Sequence, residues 1–188
     1  GEIPPIEIPY KNLEDFVVIP IDIENPSDGV QESPYEKVEL FYPLDLLKNG
    51  IEIIDSPGIN ESETHTRIAQ NYVEKADAII FIFSALSIFS SSEKDFLENE
   101  ILSRGFKDII CVINRFDQLP NDVEREKIRN FTKLKIIPNT DLGETGIFYT
   151  SASQGLIGKI EAKPDVFIKS GMKEFEEFLA NFLINKRG

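Results

Sequence analysis

Polar residues that could bind a ligand follow three apolar runs of the sequence, at the point where each run ends. The polar stretches are Asp55-Ser56-Pro57-Gly58, Asn114-Arg115-Phe116-Asp117 and Thr150-Ser151-Ala152. In an open parallel sheet, ligands bind at the carboxyl ends of the strands. If the apolar runs are neighbouring strands of such a sheet, the three stretches form one candidate binding site.

Each stretch also has an ordinary structural interpretation. Asp, Pro and Gly are common turn residues, so the stretch from Asp55 to Gly58 would serve as a plain turn. An Asn at a strand end often caps a turn, and Thr-Ser-Ala is a common tripeptide. The combination is more informative than its parts, because all three stretches follow successive apolar runs with room between them for intervening strands and helices.

Strands and helices alternate along most of the chain. We predict strands at Val38–Tyr42, Ile51–Ile54, Ala78–Phe83, Ile109–Ile113 and Ile147–Tyr149. The first two should pair as antiparallel neighbours across the turn at Asn49-Gly50. The continuous apolar runs at 78–83 and 109–113 are typical of strands that are buried on both faces.

Helices are predicted between these strands from capping signals and apolar periodicity. They span residues 64–75, from a capping box at Ser90 and Glu93 to Arg104, from Asn121 to about Lys135, and Ser170–Ile184 with an apolar face of Phe175, Phe178, Leu179 and Phe182. The alternation predicts an α/β fold with a doubly wound, mostly parallel sheet and flanking helices. Residues 1–34 are rich in proline and are predicted to be irregular.

Composition indicates a globular and acidic protein. Hydrophobic residues make up 41% of the chain and charged residues 28%, and the net charge is −13. This acidity argues against nucleic acid as a partner, because a phosphate backbone requires a basic surface. Cys111 is the single cysteine and lies in an apolar strand, which predicts a buried structural thiol. We find no signal peptide and no membrane-spanning run, and expect a cytoplasmic location.

The sequence around the three polar stretches resembles the GTPase domain of the bacterial dynamin family, within the P-loop GTPase superfamily. The similar segments are VELFYPLDLLKNGIEIIDSPGINES, KADAIIFIFSALSIFSSSEKDFLENEIL and KDIICVINRFDQL. Residues 35–188 are accordingly expected to form a partial GTPase domain. The three stretches correspond to the third, fourth and fifth signature motifs of the superfamily.

The resemblance implies a role for each matching residue. Asp55 would hold Mg²⁺ through a water, and the Gly58 N–H would donate to the γ-phosphate of GTP. Asp117 would accept hydrogen bonds from the guanine N1–H and 2-amino group, with Asn114 bracing the base. The remaining contacts, from the fifth motif and the position after Asn114, would come from Ser151, Ala152 and Arg115.

The Ala152 N–H would donate to guanine O6. Arg115 stands where the family has a lysine that packs along the base, and although arginine can stack, the two side chains are not equivalent.

The phosphate-binding loop of the superfamily, Gly-x-x-x-x-Gly-Lys-Ser/Thr, does not occur in this sequence. The stretch Gly155–Lys159 comes nearest, but its spacing is wrong and Ile160 follows the lysine. We therefore expect a segment that lacks this loop or begins after it, which binds guanine nucleotide weakly and does not hydrolyse GTP. The corresponding central strand should be replaced by direct closure of the strands at 51–54 and 78–83, by insertion of Phe16–Ile23, or by a second chain.

The resemblance also implies what the whole protein does. It would hydrolyse GTP, self-associate, and act on membranes through parts outside this chain, in the cytoplasm or peripherally at the inner membrane. Two alternatives remain open: a ribosome- or tRNA-associated GTPase of the same superfamily, and a nucleotide-free protein-interaction domain in which Asn114 and Asp117 only cap a turn.

Overall fold

The computed structural model of the chain describes residues 5–13, 37–44, 47, 50–56 and 69–186. The chain divides into two compact units, residues 1–51 and residues 52–188. The first unit contains a short 3₁₀ turn at Tyr10–Asn12. The candidate site residues all belong to the second unit.

The second unit alternates strands and helices. Its elements are β1 (Ile79–Ser84), α1 (Ser91–Phe96), β2 (Ile109–Asn114), α2 (Asp122–Lys135), β3 (Ile147–Tyr149), α3 (Ala152–Ile160), α4 (Pro164–Lys169) and α5 (Met172–Lys186). Residues 69–73 are also helical. After α1 the helical path continues as a π-helical turn at Leu97–Ile101 and a 3₁₀ turn at Leu102–Arg104.

The three strands form one parallel sheet in the order β1-β2-β3. Ser84 is paired with Asn114 at the carboxyl ends of β1 and β2, and Ile113 is paired with Tyr149 at the end of β3. The predicted parallel α/β architecture is therefore confirmed. The register brings the polar residues after β2 and β3 to the same edge of the sheet.

One face of the sheet is covered by the helices between the strands. Phe81 and Phe83 of β1 pack with Phe96 and Leu97 in a buried cluster that also contains Cys111. Phe83 is fully buried, and its ring lies 4.6 Å from that of Phe81. This burial of aromatic surface fixes α1 and the π-helical turn against the sheet.

The opposite face is covered by α5 at β3 but not at β1. The Phe148 ring lies 5.4 Å from Phe175 and 4.9 Å from Phe178, so the predicted apolar face of the last helix packs as core. On β1, however, Ile80 and Ile82 are 37% and 63% exposed. The expectation that β1 is buried on both faces is wrong, since no described element covers this face there.

The predicted strands at 38–42 and 51–54 are also wrong. Neither residues 37–44 nor residues 50–56 contain a strand, so the antiparallel pair is not formed. Phe41 is 89% exposed and Ile53 is 59% exposed, so these apolar residues gain no buried surface that would favour a ladder. Direct closure of 51–54 onto β1 is excluded for the same reason, and the Phe16–Ile23 segment lies outside the described residues.

Helix boundaries follow the predicted caps. The Ser90 N–H donates to Glu93 at 2.7 Å and the Glu93 N–H donates back to Ser90 Oγ at 3.3 Å, forming the capping box. Gly105 ends the run with φ +87°. The Asn121 side chain accepts from the Glu124 N–H at 3.0 Å, and α2 ends at Lys135 as predicted. Helices α3 and α4 were not predicted.

Cys111 provides a test of this core. Its side chain is 2% exposed, and burial raises the pKa of its thiol to about 12. Because only the thiolate reacts, we expect no labelling by a thiol reagent in the native protein at pH 8 and rapid labelling after unfolding. The check is labelling followed by mass spectrometry with and without denaturant. Fast labelling of the folded chain would contradict the described packing.

Candidate functional site

The loops that follow β2 and β3 are joined by main-chain hydrogen bonds that continue the sheet. The Thr150 N–H donates to the Ile113 carbonyl at 2.9 Å, and the Phe116 N–H donates to the Thr150 carbonyl at 3.0 Å. On the other side, the Ala85 N–H donates to the Asn114 carbonyl at 2.8 Å. The second and third polar stretches are therefore adjacent, as the sequence predicted.

The Asn114 side chain links the two loops directly. Its Oδ1 accepts from the Ala152 N–H at 3.0 Å and lies 3.4 Å from the Thr150 hydroxyl, which is buried. Asn114 Nδ2 makes no hydrogen bond with any residue that the structure describes. The amide thus braces the loop after β3 with its oxygen and keeps its two N–H donors available for a ligand.

Arg115 and Asp117 flank a buried residue and are themselves exposed. Arg115 adopts a left-handed conformation with φ +61°, which is uncommon for a residue with a side chain. Phe116 between them is 9% exposed and packs with Ala85, Ile113 and Leu119. Within the described part of the chain, the Asp117 carboxylate has no ion-pair or hydrogen-bond partner. The loop is anchored at its centre and presents one cation and one carboxylate to solvent.

Ser151 is buried and caps α3. Its Oγ accepts from the Gln154 N–H at 3.4 Å, while its own N–H donates to the Ser170 carbonyl at 2.8 Å. Sequence reasoning missed this second contact, which comes from the corner between α4 and α5. Gly171 at that corner has φ +73°, and a Cβ there would lie 2.2 Å from the Tyr149 carbonyl oxygen. The Ser-Gly pair between two helical stretches was the available signal for a corner, but not for its contact with β3.

The first polar stretch is described only in part. Asp55 is exposed and lies in the irregular segment 51–56, whereas Gly58 lies outside the described residues. The structure brings together Asn114, Arg115, Asp117, Ser151 and Ala152 on adjacent loops. Among the described residues, no group of three or more His, Cys, Asp or Glu side chains could hold a metal ion.

The rejection of Gly155–Lys159 as a phosphate loop agrees with the structure, where these residues lie inside helix α3. A Cβ on Gly155 would lie 2.4 Å from the Met172 side chain, and one on Gly158 would lie 2.6 Å from the Phe167 main-chain nitrogen. Both glycines therefore serve close helix packing. Lys159 forms an ion pair with Glu176 on α5.

Comparison with known proteins assigns the family. Residues 8–116 match the model of the dynamin family. The chain belongs to the dynamin family. It is 33% identical over 154 residues to an uncharacterised protein encoded in the xynA 3′ region of Caldicellulosiruptor sp. strain Rt8B.4, covering 81% of this chain and 38% of that protein.

Two further relatives have descriptive names. The bacterial dynamin-like protein of Nostoc punctiforme is 31% identical over 163 residues, covering 78% of this chain and 23% of that protein. The transmembrane GTPase Marf of Drosophila melanogaster is 25% identical over 137 residues, covering 66% of this chain and 17% of that protein. The chain therefore corresponds to part of a dynamin-family protein and spans 38% or less of the length of these relatives. No helix in its described part has the length and apolarity needed to cross a membrane.

The corner at Gly171 can be tested with a matched glycine. We expect Gly171→Ala to lower the free energy of unfolding by about 2 kcal/mol or more, since it combines left-handed strain with a main-chain clash. Gly143→Ala is the control, because Gly143 has φ +57° but nothing within 4 Å of an added Cβ. It should cost about 1 kcal/mol. The measurement is urea denaturation. If both variants lost the same free energy of unfolding, the close approach of Gly171 to Tyr149 would contribute nothing to stability.

The structural role of the Asn114 side-chain oxygen can be tested separately from the role of its free N–H donors. We expect Asn114→Ala to lower the free energy of unfolding by about 1–2 kcal/mol, because it removes the shared acceptor and leaves the buried Thr150 hydroxyl with one partner fewer. Asn114→Asp keeps the acceptor and should retain most of the stability. The measurement is denaturant unfolding of both variants. If Asn114→Ala were as stable as the parent chain, the brace would have no structural role.

Proposed function

We propose that this chain provides the guanine-recognising part of the nucleotide site in a larger dynamin-family GTPase. The observation that carries the proposal is the Asn114 amide, which ties the loop after β2 to the loop after β3 through the Ala152 N–H at 3.0 Å. This tie places the Asp117 carboxylate and the α3 N-terminus on adjacent loops. Guanine has the N1–H and 2-amino donors next to its O6 acceptor. The donors would contact the Asp117 carboxylate, and O6 would contact the N-terminus of α3.

Asp117 supplies selectivity in this proposal. Its exposed carboxylate has two oxygens that can accept from the guanine N1–H and the 2-amino group. Adenine lacks this pair of donors. An adenine nucleotide would therefore displace the water molecules that donate to the carboxylate and would supply no hydrogen bonds in their place. The chain should therefore prefer guanine to adenine nucleotides.

The remaining polar groups orient the base. Asn114 Nδ2 would donate to a ring acceptor, while the Ala152 N–H would serve guanine O6 and Asn114 Oδ1 together in a three-centre hydrogen bond. Ser151 holds this N–H in place by capping α3. Arg115 would stack its guanidinium on the base face, since the planar group can pack against an aromatic ring.

The phosphate side of the proposed site is less complete. Asp55 provides one exposed carboxylate, which suits Mg²⁺ bound through a water with most of its shell supplied by waters and phosphate oxygens. Gly58 would provide a main-chain donor to the γ-phosphate. Because the sequence contains no Gly-x-x-x-x-Gly-Lys-Ser/Thr, we infer weak nucleotide binding and no GTP hydrolysis by this chain alone.

For the whole protein, we propose GTP hydrolysis coupled to self-association and membrane remodelling, as the family assignment suggests. The membrane contacts would be made by parts outside this chain, in the cytoplasm or peripherally at the inner membrane. The net charge of −13 supports partners other than nucleic acid.

The base site is tested by exchanging its carboxylate. We expect the unmodified protein to bind GDP at least about tenfold more tightly than ADP, because two charge-assisted hydrogen bonds are at stake. Asp117→Asn should reverse the preference toward xanthosine diphosphate, whose 2-oxo group needs a donor. Titration calorimetry with GDP, XDP and ADP measures all three affinities.

Asp141→Asn, an exposed substitution that makes the same change in charge, is the control and should leave the GDP preference intact. Three outcomes overturn the proposal. Equal affinity of the unmodified protein for GDP and ADP, or no binding of either, would favour a nucleotide-free interaction domain. An unchanged GDP preference in Asp117→Asn, with no gain for XDP, would remove Asp117 from the base site.

A further inference from the structure

Arg129 on helix α2 lies against the two aromatic residues that support the candidate loops. Its guanidinium carbon is 4.9 Å from the centroid of the Phe116 ring and 4.3 Å from that of Tyr149. The two rings are 4.8 Å apart and inclined at 49°. One cation therefore contacts both rings at once, at distances where the attraction between a cation and an aromatic face is effective.

One ring lies in the first of the two loops that would read the base, and the other lies directly before the second loop. Phe116 lies between Arg115 and Asp117, and its N–H donates to the Thr150 carbonyl. Tyr149 is the last residue of β3 and precedes the stretch that ends in Ala152. The contact between the rings therefore adds to the main-chain hydrogen bonds that hold the loop carrying Asp117 beside the segment carrying the Ala152 N–H.

Among the residues that the structure describes, Arg129 has no competing partner that would explain its position. It forms no ion pair with a carboxylate in the described part of the chain, although its neighbours Arg125 and Lys127 on α2 both do. Burial raises the pKa of Tyr149, so its phenol stays neutral at physiological pH and the ring acts as an uncharged partner. The aromatic pair is thus the contact that holds the guanidinium.

We propose that Arg129 is a positioning residue for guanine recognition. By bridging Phe116 and Tyr149, it fixes the loop that carries Asn114 and Asp117 relative to the loop that carries Ser151 and Ala152. The inference rests on the proposed function, because it takes these loops to be the base site. Arg129 itself does not contact the nucleotide.

The test compares GDP with inosine diphosphate, which lacks the 2-amino group that Asp117 would bind. If Arg129 positions Asp117, the preference for GDP over IDP should fall about threefold or more in Arg129→Ala, as expected for the loss of an exposed cation–π contact. A general loss of folded protein would weaken both nucleotides equally and leave their ratio unchanged. The ratio therefore separates positioning from stability.

Matched variants sharpen the result. Arg129→Lys keeps a cation over the rings and should restore much of the ratio, whereas Arg129→Gln keeps the reach without the charge and should behave as Arg129→Ala does. Lys127→Ala removes one positive charge from the same helix and should change neither affinity selectively. An equal ratio in Arg129→Ala and Lys127→Ala overturns the inference.

A second measurement uses no nucleotide. Hydrogen exchange of the Phe116 and Ala152 amides, which tie the two loops, should be faster in Arg129→Ala than in Lys127→Ala. If the unmodified protein does not distinguish GDP from IDP, the proposed function fails and the positioning role fails with it. If the protein does distinguish them but the ratio is the same in Arg129→Ala and Lys127→Ala, or the exchange is, only the role of Arg129 is refuted.

Discussion

Parallel pairing of β2 with β3 is the constraint on which the candidate site depends. Parallel strands end at the same edge of a sheet, so the residues that follow them must meet there. Here the ladder continues beyond the strands, from Ile113 to Thr150 and then back to Phe116. Main-chain hydrogen bonds thereby set the loop spacing before any side chain contributes. Among the described residues, only the Asn114 side chain links the Asn114–Asp117 and Thr150–Ala152 stretches by a side-chain hydrogen bond. It can do so because the strand register holds the two stretches side by side.

The helices after β3 stabilise the loop that contains Thr150 and Ser151. Ser151 is held from both sides, since its hydroxyl caps α3 and its N–H donates to Ser170. That contact requires a close approach of the corner between α4 and α5 to β3, which Gly171 permits because it lacks a Cβ. Gly155 and Gly158 allow α3 to pack equally closely against its neighbours. Three glycines therefore contribute to the position of the Ala152 N–H.

Sequence reasoning succeeded where local signals and packing agree. Apolar runs identified β1, β2 and β3, and the caps at Ser90 and Asn121 located two helices. It failed at residues 38–42 and 51–54, where strand propensity is strong but the side chains stay exposed. Propensity describes how well a residue suits a half-buried pleated surface, and it cannot supply the partner strand.

For the candidate site, short motifs singled out Asn114, Asp117 and Ala152, and the structure brings them together on adjacent segments. Their role in base recognition stays a prediction. The supporting contacts of Ser170 and Arg129 were not predicted, since they join elements that are distant in sequence and carry no local signature.

The net negative charge of the chain affects phosphate binding at such a site more than it affects recognition of the base. With 33 acidic and 20 basic residues, the chain as a whole opposes a polyphosphate. In the proposed site, phosphate binding would then depend on Mg²⁺ and on main-chain donors close to the ligand, where local interactions outweigh a screened distant field. Guanine carries no net charge, and its recognition needs only short, directional hydrogen bonds. Asp117 suits this task because no described cation pairs with it, so the ligand's donors would not have to displace a salt bridge. Base selectivity can therefore be encoded within two adjacent loops, independently of the residues that bind phosphate.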